Sequence, residues 1–247
     1  MSLSTRHNPL KTLQTQTKRG GPLDVPTLRA IGVSGSHARN YVQSGWLRSL
    51  GRGVFAFPND TLERDACLNF LGRTFPGLHV AGKTALDWRG VRHNMAFREH
   101  LILLGDLSKP LPEWFTSRFS CSYAARHLFT SELPKDFGLE PLPGNPNGPL
   151  VSVRERALLE LLSEVGLSQG IEEARNITEN LFDVREDVMT QLLKCCSRSK
   201  VLRLCAQWSE ELELNWAPLA RAVLDATPHR GRWSSRMRNG GTLVLKP

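Results

Sequence analysis

Acidic side chains are scarce in this sequence: 24 Asp and Glu stand against 32 Lys and Arg in 247 residues, for a formal charge of +8. With an isoelectric point near 9.6, the natural partner is a polyanion, although charge alone says nothing about fold. Cysteine is scarce as well. Cys67, Cys121, Cys195, Cys196 and Cys205 form an odd set with no repeated spacing and no signal-peptide pattern ahead of them. That excludes a disulfide scaffold and makes a reducing cytoplasm the expected location. No CxxC pair or nearby His completes four zinc ligands around Cys195, Cys196 and Cys205, so the thiols read as buried helix residues. Neither a metal nor a cofactor is expected. Long apolar runs are also missing, so no membrane span is expected. What is present is 40% apolar content, enough for the cores of two domains and too much for a disordered chain.

The most informative stretch runs from Gly20 to Pro58. Asp24 is a good N-cap for a helix that carries Pro26 in its first turn, where the missing N–H costs nothing. Leu28 and Ile31 give that helix an apolar side. Gly32 follows where a left-handed residue is wanted, Val33 drops into the core, and Ser34 caps the next helix. Turning residues 35–44 through 100° per residue puts Ala38, Tyr41 and Val42 on one face and Ser36, Asn40 and Gln43 on the other. Asn and Gln side chains pair with adenine N6 and N7, Ser with several base edges, and Arg39 on the flank reaches guanine or phosphate. His37 lies on the opposite flank, and it and the capping Ser34 are also expected DNA contacts. Beyond Gly45, Trp46 to Leu50 and Val54 to Phe57 are short apolar runs joined by Gly51-Arg52-Gly53, the pattern of a hairpin with Arg48 and Arg52 on it.

This reads as a winged helix-turn-helix over residues 1–60, followed by a mixed α/β domain over 61–247 whose last third is helical, an α+β protein. Eight cations against two acids through Asp60 hold +6 of the total charge, which favours duplex DNA as the partner. Ahead of the motif, Leu10 and Leu13 mark a short helix whose basic end, Lys18-Arg19, is placed to touch phosphates. The same basic end is equally a helix C-terminus that favours cations.

Further along, Asp60 or Thr61 is expected to cap a helix with Leu62, Ala66, Cys67 and Phe70 inward, stopped by Pro76-Gly77. Residues 77–84, GLHVAGKT, match the Walker A pattern letter for letter. Their context argues against a phosphate loop, because Leu78-His79-Val80 itself reads as strand and no strand ending in a magnesium-binding Asp follows. Strands are expected from His100 to Leu104 and from Trp114-Phe115 onward, while Phe119 to Tyr123 and Leu128-Phe129 read as strand or loop. A Pro- and Gly-rich connector is expected over 131–149. Ser152 and Glu155 have capping-box spacing ahead of an Ala157, Leu158, Leu161, Leu162 stripe. Three more helices are expected over 171–181, 184–195 and 201–212. The last 27 residues set Arg221, Arg230, Arg232, Arg236, Arg238 and Lys246 against Asp225, a second basic patch.

The run GVSGSHARNYVQSGWLRSLGRGVFAFP, with its SGWL and LGRGV segments, resembles the N-terminal domain of the AbiEi family, the antitoxin and autorepressor half of type IV toxin-antitoxin pairs. HVAGKTAL resembles a family stretch in which a strand leads into a structural helix. SVRERALLELL, then LLKCCSRSKVLRLCAQWSEE with Asn215-Trp216, and finally NGGTL at 239–243 are similar to the C-terminal domain, so the resemblance spans nearly the whole chain. The ending departs from it: Val244 to Pro247 is shorter than the family's usual tail, which carries a Tyr. The resemblance implies a protein that is not an enzyme. It implies repression of the protein's own promoter through inverted repeats, and a C-terminal domain that counteracts a neighbouring nucleotidyltransferase toxin without a stable complex. Two other classes remain: an enzyme, either nucleotide-dependent through Gly82-Lys83-Thr84 or a nuclease in the middle sheet with Glu99 and Asp106, and a scaffold whose winged domain binds protein.

Overall fold

The computed structural model describes residues 9–17, 19–92, 99–227, 233–236 and 242–245. In chain order the first elements are α1 (Pro9–Gln16), β1 (Leu23–Asp24), α2 (Val25–Ala30), α3 (Gly35–Gln43), β2 (Arg48–Gly51), β3 (Val54–Ala56) and α4 (Arg64–Thr74). Next come β4 (His79–Val80), α5 (Gly82–Trp88), β5 (Leu101–Gly105), α6 (Glu113–Thr116), β6 (Cys121–Ala125), β7 (Leu139–Glu140) and β8 (Val151–Ser152). The rest is α7 (Arg154–Glu164), α8 (Ile171–Glu179), α9 (Glu186–Lys194), α10 (Ser199–Glu211), α11 (Ala217–Ala226), β9 (Trp233–Arg236) and β10 (Thr242–Leu245). Two compact units result, Met1–Thr74 with Leu111–Phe119, and Phe75–Pro110 with Ser120–Pro247.

In the first unit a three-stranded antiparallel sheet of order β1-β3-β2 closes behind α2 and α3. Leu13, Leu23, Leu28, Val33, Ala38, Leu47, Phe55 and Phe57 form its core, with Val25, Ile31, Tyr41 and Val42 packed around them. Full burial of each Leu or Phe contributes about 1.5–3 kcal/mol, so this small unit is held chiefly by those side chains. Strand β1 is two residues long and was not anticipated. It forms because Leu23 pairs with Phe55 on β3.

Two expectations fail here. Asp60 caps no helix: its carboxylate accepts from the Gly20 amide and from Arg19, and α4 begins only at Arg64. Trp114-Phe115 opens no strand. Pro112 is the N-cap of the one-turn helix α6, where Phe115 is fully buried and Trp114 meets the Phe70 ring edge-on at 5.9 Å.

The second unit is built on a mixed five-stranded sheet of order β6-β5-β4-β8-β7, parallel at β5-β6 and β4-β8 and antiparallel elsewhere. The expected connector over 131–149 contains β7, one edge of that sheet. Helix α7 is buried nearly all round, charged residues included. The expected capping box at its start is absent. Val153 is the N-cap, the Ser152 hydroxyl donates to Glu160 at 2.8 Å, and Glu155 instead accepts from the amide and guanidinium of Arg185. Helices α8, α9 and α10 fall where periodicity put them, while α11 was not anticipated and its second half, from Arg221, lies in the stretch read only as a basic tail. Within that tail Arg221 makes a bidentate pair with Glu210 at 2.6 Å. Arg230, Arg232, Arg238 and Lys246 lie outside the described residues, as does the NGG portion of NGGTL. Among the described residues no helix is long and apolar enough to cross a membrane.

Candidate nucleic-acid interface

Four local devices hold α2 and α3. Asp24 accepts the Thr27 amide at 2.9 Å and so starts α2. Burial opposes ionisation of that carboxyl, but the Thr27 bonds and the nearby Arg73 outweigh it and lower its pKa. Helix α2 ends at Ala30 with Ile31 as its C-cap, and Gly32 turns the chain at φ +82° while Val33 donates back to the Leu28 carbonyl at 2.9 Å. A side chain at that φ is strained, and glycine is not. Ser34 then accepts the His37 amide at 3.2 Å and caps α3. At the far end Gly45, φ +77°, lets Trp46 and Leu47 donate to the Tyr41 carbonyl at 2.8 and 3.0 Å.

The consequence is a helix fixed from behind by Ala38, Tyr41 and Val42, with Ser36, His37, Arg39, Asn40 and Gln43 all exposed. Ser36, Asn40 and Gln43 follow one another at helical spacing along one edge. Arg39 has no ion-pair partner among the described residues. The Ser34 hydroxyl is spent on its cap and on Ser36, 2.8 Å away. A polar edge of hydroxyl, amide and guanidinium groups on a rigid helix has the donor and acceptor set that reads base edges in a major groove.

The hairpin β2-β3 follows, with Arg52 exposed at its turn and a register shift between Ser49 and Gly51. The other predicted cations are placed differently. Arg48 donates to the Phe57 and Asp60 carbonyls at 3.3 and 3.2 Å. Arg19 pairs with Asp60 at 3.0 Å and lies 3.8 Å over the Phe57 ring. Both guanidiniums therefore tie the hairpin's end to the rest of the unit. Lys18 lies outside the described residues. Trp46, read from sequence as part of an apolar run, is 46% exposed in the turn between α3 and the hairpin. Its indole leaves apolar surface exposed past the end of α3, which a period-2 pattern could not signal.

The Walker-like segment is closed. The Leu78 amide donates to the Phe75 carbonyl, Val80 to Leu150, Ala81 to Ile102, and Gly82 to the Glu160 carboxylate. Lys83 pairs with Glu173, and Thr84 bridges the His100 carbonyl and the Ile102 amide. A phosphate cradle needs free amides, and these are committed to sheet and core. Asp106 pairs with Lys135, and Glu99 accepts from the Trp88 indole. Among the described residues no three His, Cys, Asp or Glu side chains group as metal ligands. All five cysteines are free thiols, and burial pushes Cys67 to about 12 and Cys196 to about 11.

A family profile described as the N-terminal domain of the AbiEi antitoxin transcriptional regulators matches residues 6–97. A second, described as the AbiEi antitoxin transcriptional regulator of type IV toxin-antitoxin systems, matches residues 98–241. No protein of curated function matches the sequence. Among solved structures, the Rv2827c protein from Mycobacterium tuberculosis shares the fold at a TM-score of 0.57 and 15% identity, over 90% of this chain and 81% of that one.

Proposed function

The chain belongs to the AbiEi family of antitoxins and transcriptional regulators, and from that premise we propose that it is a winged helix-turn-helix autorepressor. In this reading residues 1–60 grip the protein's own promoter at inverted repeats, and residues 61–247 form the antitoxin domain. Ser36, Asn40 and Gln43 read bases from α3, while Arg39 is shared between a base and the backbone. Arg52 at the hairpin tip holds a phosphate, as do Lys18, Arg19, His37 and Arg48 where they reach one. The toxin it counteracts is a nucleotidyltransferase encoded beside it, neutralised without a stable complex.

One observation carries the DNA-reading half of this proposal: the polar edge of α3 stands exposed while its apolar back is locked into the core. An electrophoretic shift with the protein's own upstream DNA tests it. A discrete complex at protein concentrations that leave random duplex free supports the reading. Equal affinity for both duplexes, or none for either, opposes it.

A further inference from the structure

In the second unit a cavity of about 460 Å³ opens between the end of α7 and the start of α10. Four basic side chains line it, Arg126, His127, Arg198 and Lys200, against one acid, Glu164. Lys200 is held in place: its ammonium donates to the Ser163 and Val165 carbonyls at 2.6 and 3.0 Å. That leaves one of its three protons for the cavity. Glu164 is already engaged by Arg126 at 3.2 Å and by the Ser168 hydroxyl at 2.7 Å. Arg198 and His127 are exposed and pair with no acid among the described residues.

The backbone adds to this positive field. Helix α10 is 13 residues long, its N-cap Arg198 makes no side-chain cap, and its first turn holds no acid. Backbone acceptors for its amides begin at Val201, so the Ser199 and Lys200 amides are the orphan donors of the helix start. Leu167, which also lines the cavity, is 52% exposed and supplies apolar surface. Burial lowers the pKa of Lys200, and Arg126 and Arg198 crowd it further, offset in part by Glu164. An entering anion relieves that crowding.

We propose that this cavity binds a nucleoside phosphate, with Arg198, Lys200 and the α10 amides on the phosphate and Leu167 against the nucleoside. The volume falls within the usual range for small-ligand sites, about 300–1,000 Å³. The site lies wholly in the second unit, so it stands apart from the DNA reading, which rests on the first. A phosphate of the DNA backbone has the same chemistry, and the experiment separates the two sources.

The test is isothermal titration of the full chain with AMP, GMP, CMP and UMP in turn, with inorganic phosphate, and with random duplex as competitor. The proposal expects at least one nucleotide to bind saturably and more tightly than inorganic phosphate. Arg198→Gln should weaken it about tenfold, as loss of a charge-assisted contact does, Asn40→Ala should leave it unchanged, and duplex should not displace it. Ser199→Asp is the second variant. It favours the helix start electrostatically, so the fold survives, while its carboxylate repels phosphate. No saturable binding up to about 1 mM, where binding free energy is only about −4 kcal/mol, overturns the proposal. So does binding unaffected by both variants, and so does displacement by duplex.

Discussion

The Gly82 amide donates to the Glu160 carboxylate at 3.1 Å, joining residues 78 positions apart in a fully buried site. The same carboxylate accepts from the Ser152 hydroxyl at 2.8 Å and from Arg156 at 2.9 Å, and lies 3.1 Å from His79 Nε2. The other His79 nitrogen faces the Gly77 carbonyl at 2.7 Å. An internal anion thus takes the amide that the Walker-like sequence would offer to a phosphate. Removing one partner of such a buried cluster costs about 3–5 kcal/mol. Glu160→Gln should therefore lower unfolding stability by that order in a urea titration; a loss below about 0.5 kcal/mol would show that the cluster contributes little.

Acid should weaken the protein through the same residue. Burial raises the Glu160 pKa, but His79, Arg156 and Ser152 outweigh burial and hold it at about 2, below its ordinary 4.5. A carboxylate with a lowered folded value contributes fully above about pH 4.5 and loses that contribution as pH falls toward about 2. Burial also opposes ionisation of Glu155, and its bonds to Arg185 more than offset this, so it acts in the same direction. Stability measured from pH 6 down to 2 should fall more steeply for the native chain than for Glu160→Gln. Parallel curves would remove Glu160 from the account.

Arg48 and Arg52 sit four residues apart yet should behave differently. Arg52 is exposed at the hairpin turn, so Arg52→Ala should weaken operator and random duplex alike and reduce the salt slope by about one unit. Arg48 bonds two carbonyls of its own unit, so Arg48→Ala should lower the melting temperature as well. A melting temperature unchanged by Arg48→Ala would place its guanidinium on DNA instead.

Ser34 acts on α3 through the helix start. Its oxygen caps the His37 amide, and loss of a Ser cap costs about 1 kcal/mol. Ser34→Ala should show that loss in a denaturant titration, whereas Ser34→Asp should retain stability. Equal losses from both would mean that the cap is unimportant.

Legibility tracked how local each signal was. Asp24, Gly32, Ser34 and Gly45 act on neighbours within a few residues, and α2, the turn and α3 followed from them. Strand β1 did not, because its two residues exist as strand only through pairing with β3. Ser152 and Glu155 had the right spacing for a capping box, but partners far along the chain, Glu160 and Arg185, claimed both side chains. Trp114 and Phe115 carried strand propensity, and burial of Phe115 with ring packing against Phe70 drew them into α6. At the interface the exposed edge of α3 was readable from helical period alone. The internal duties of Arg19 and Arg48 were not, since both depend on where Phe57 and Asp60 come to rest.

The most direct measurement is the affinity of Asn40→Ala for the protein's upstream inverted repeat and for random duplex of the same length and salt. If α3 reads bases, the variant loses about 1–3 kcal/mol on the repeat and almost nothing on random DNA. Equal losses on the two duplexes, or no loss on either, would mean that the exposed edge of α3 does not read sequence.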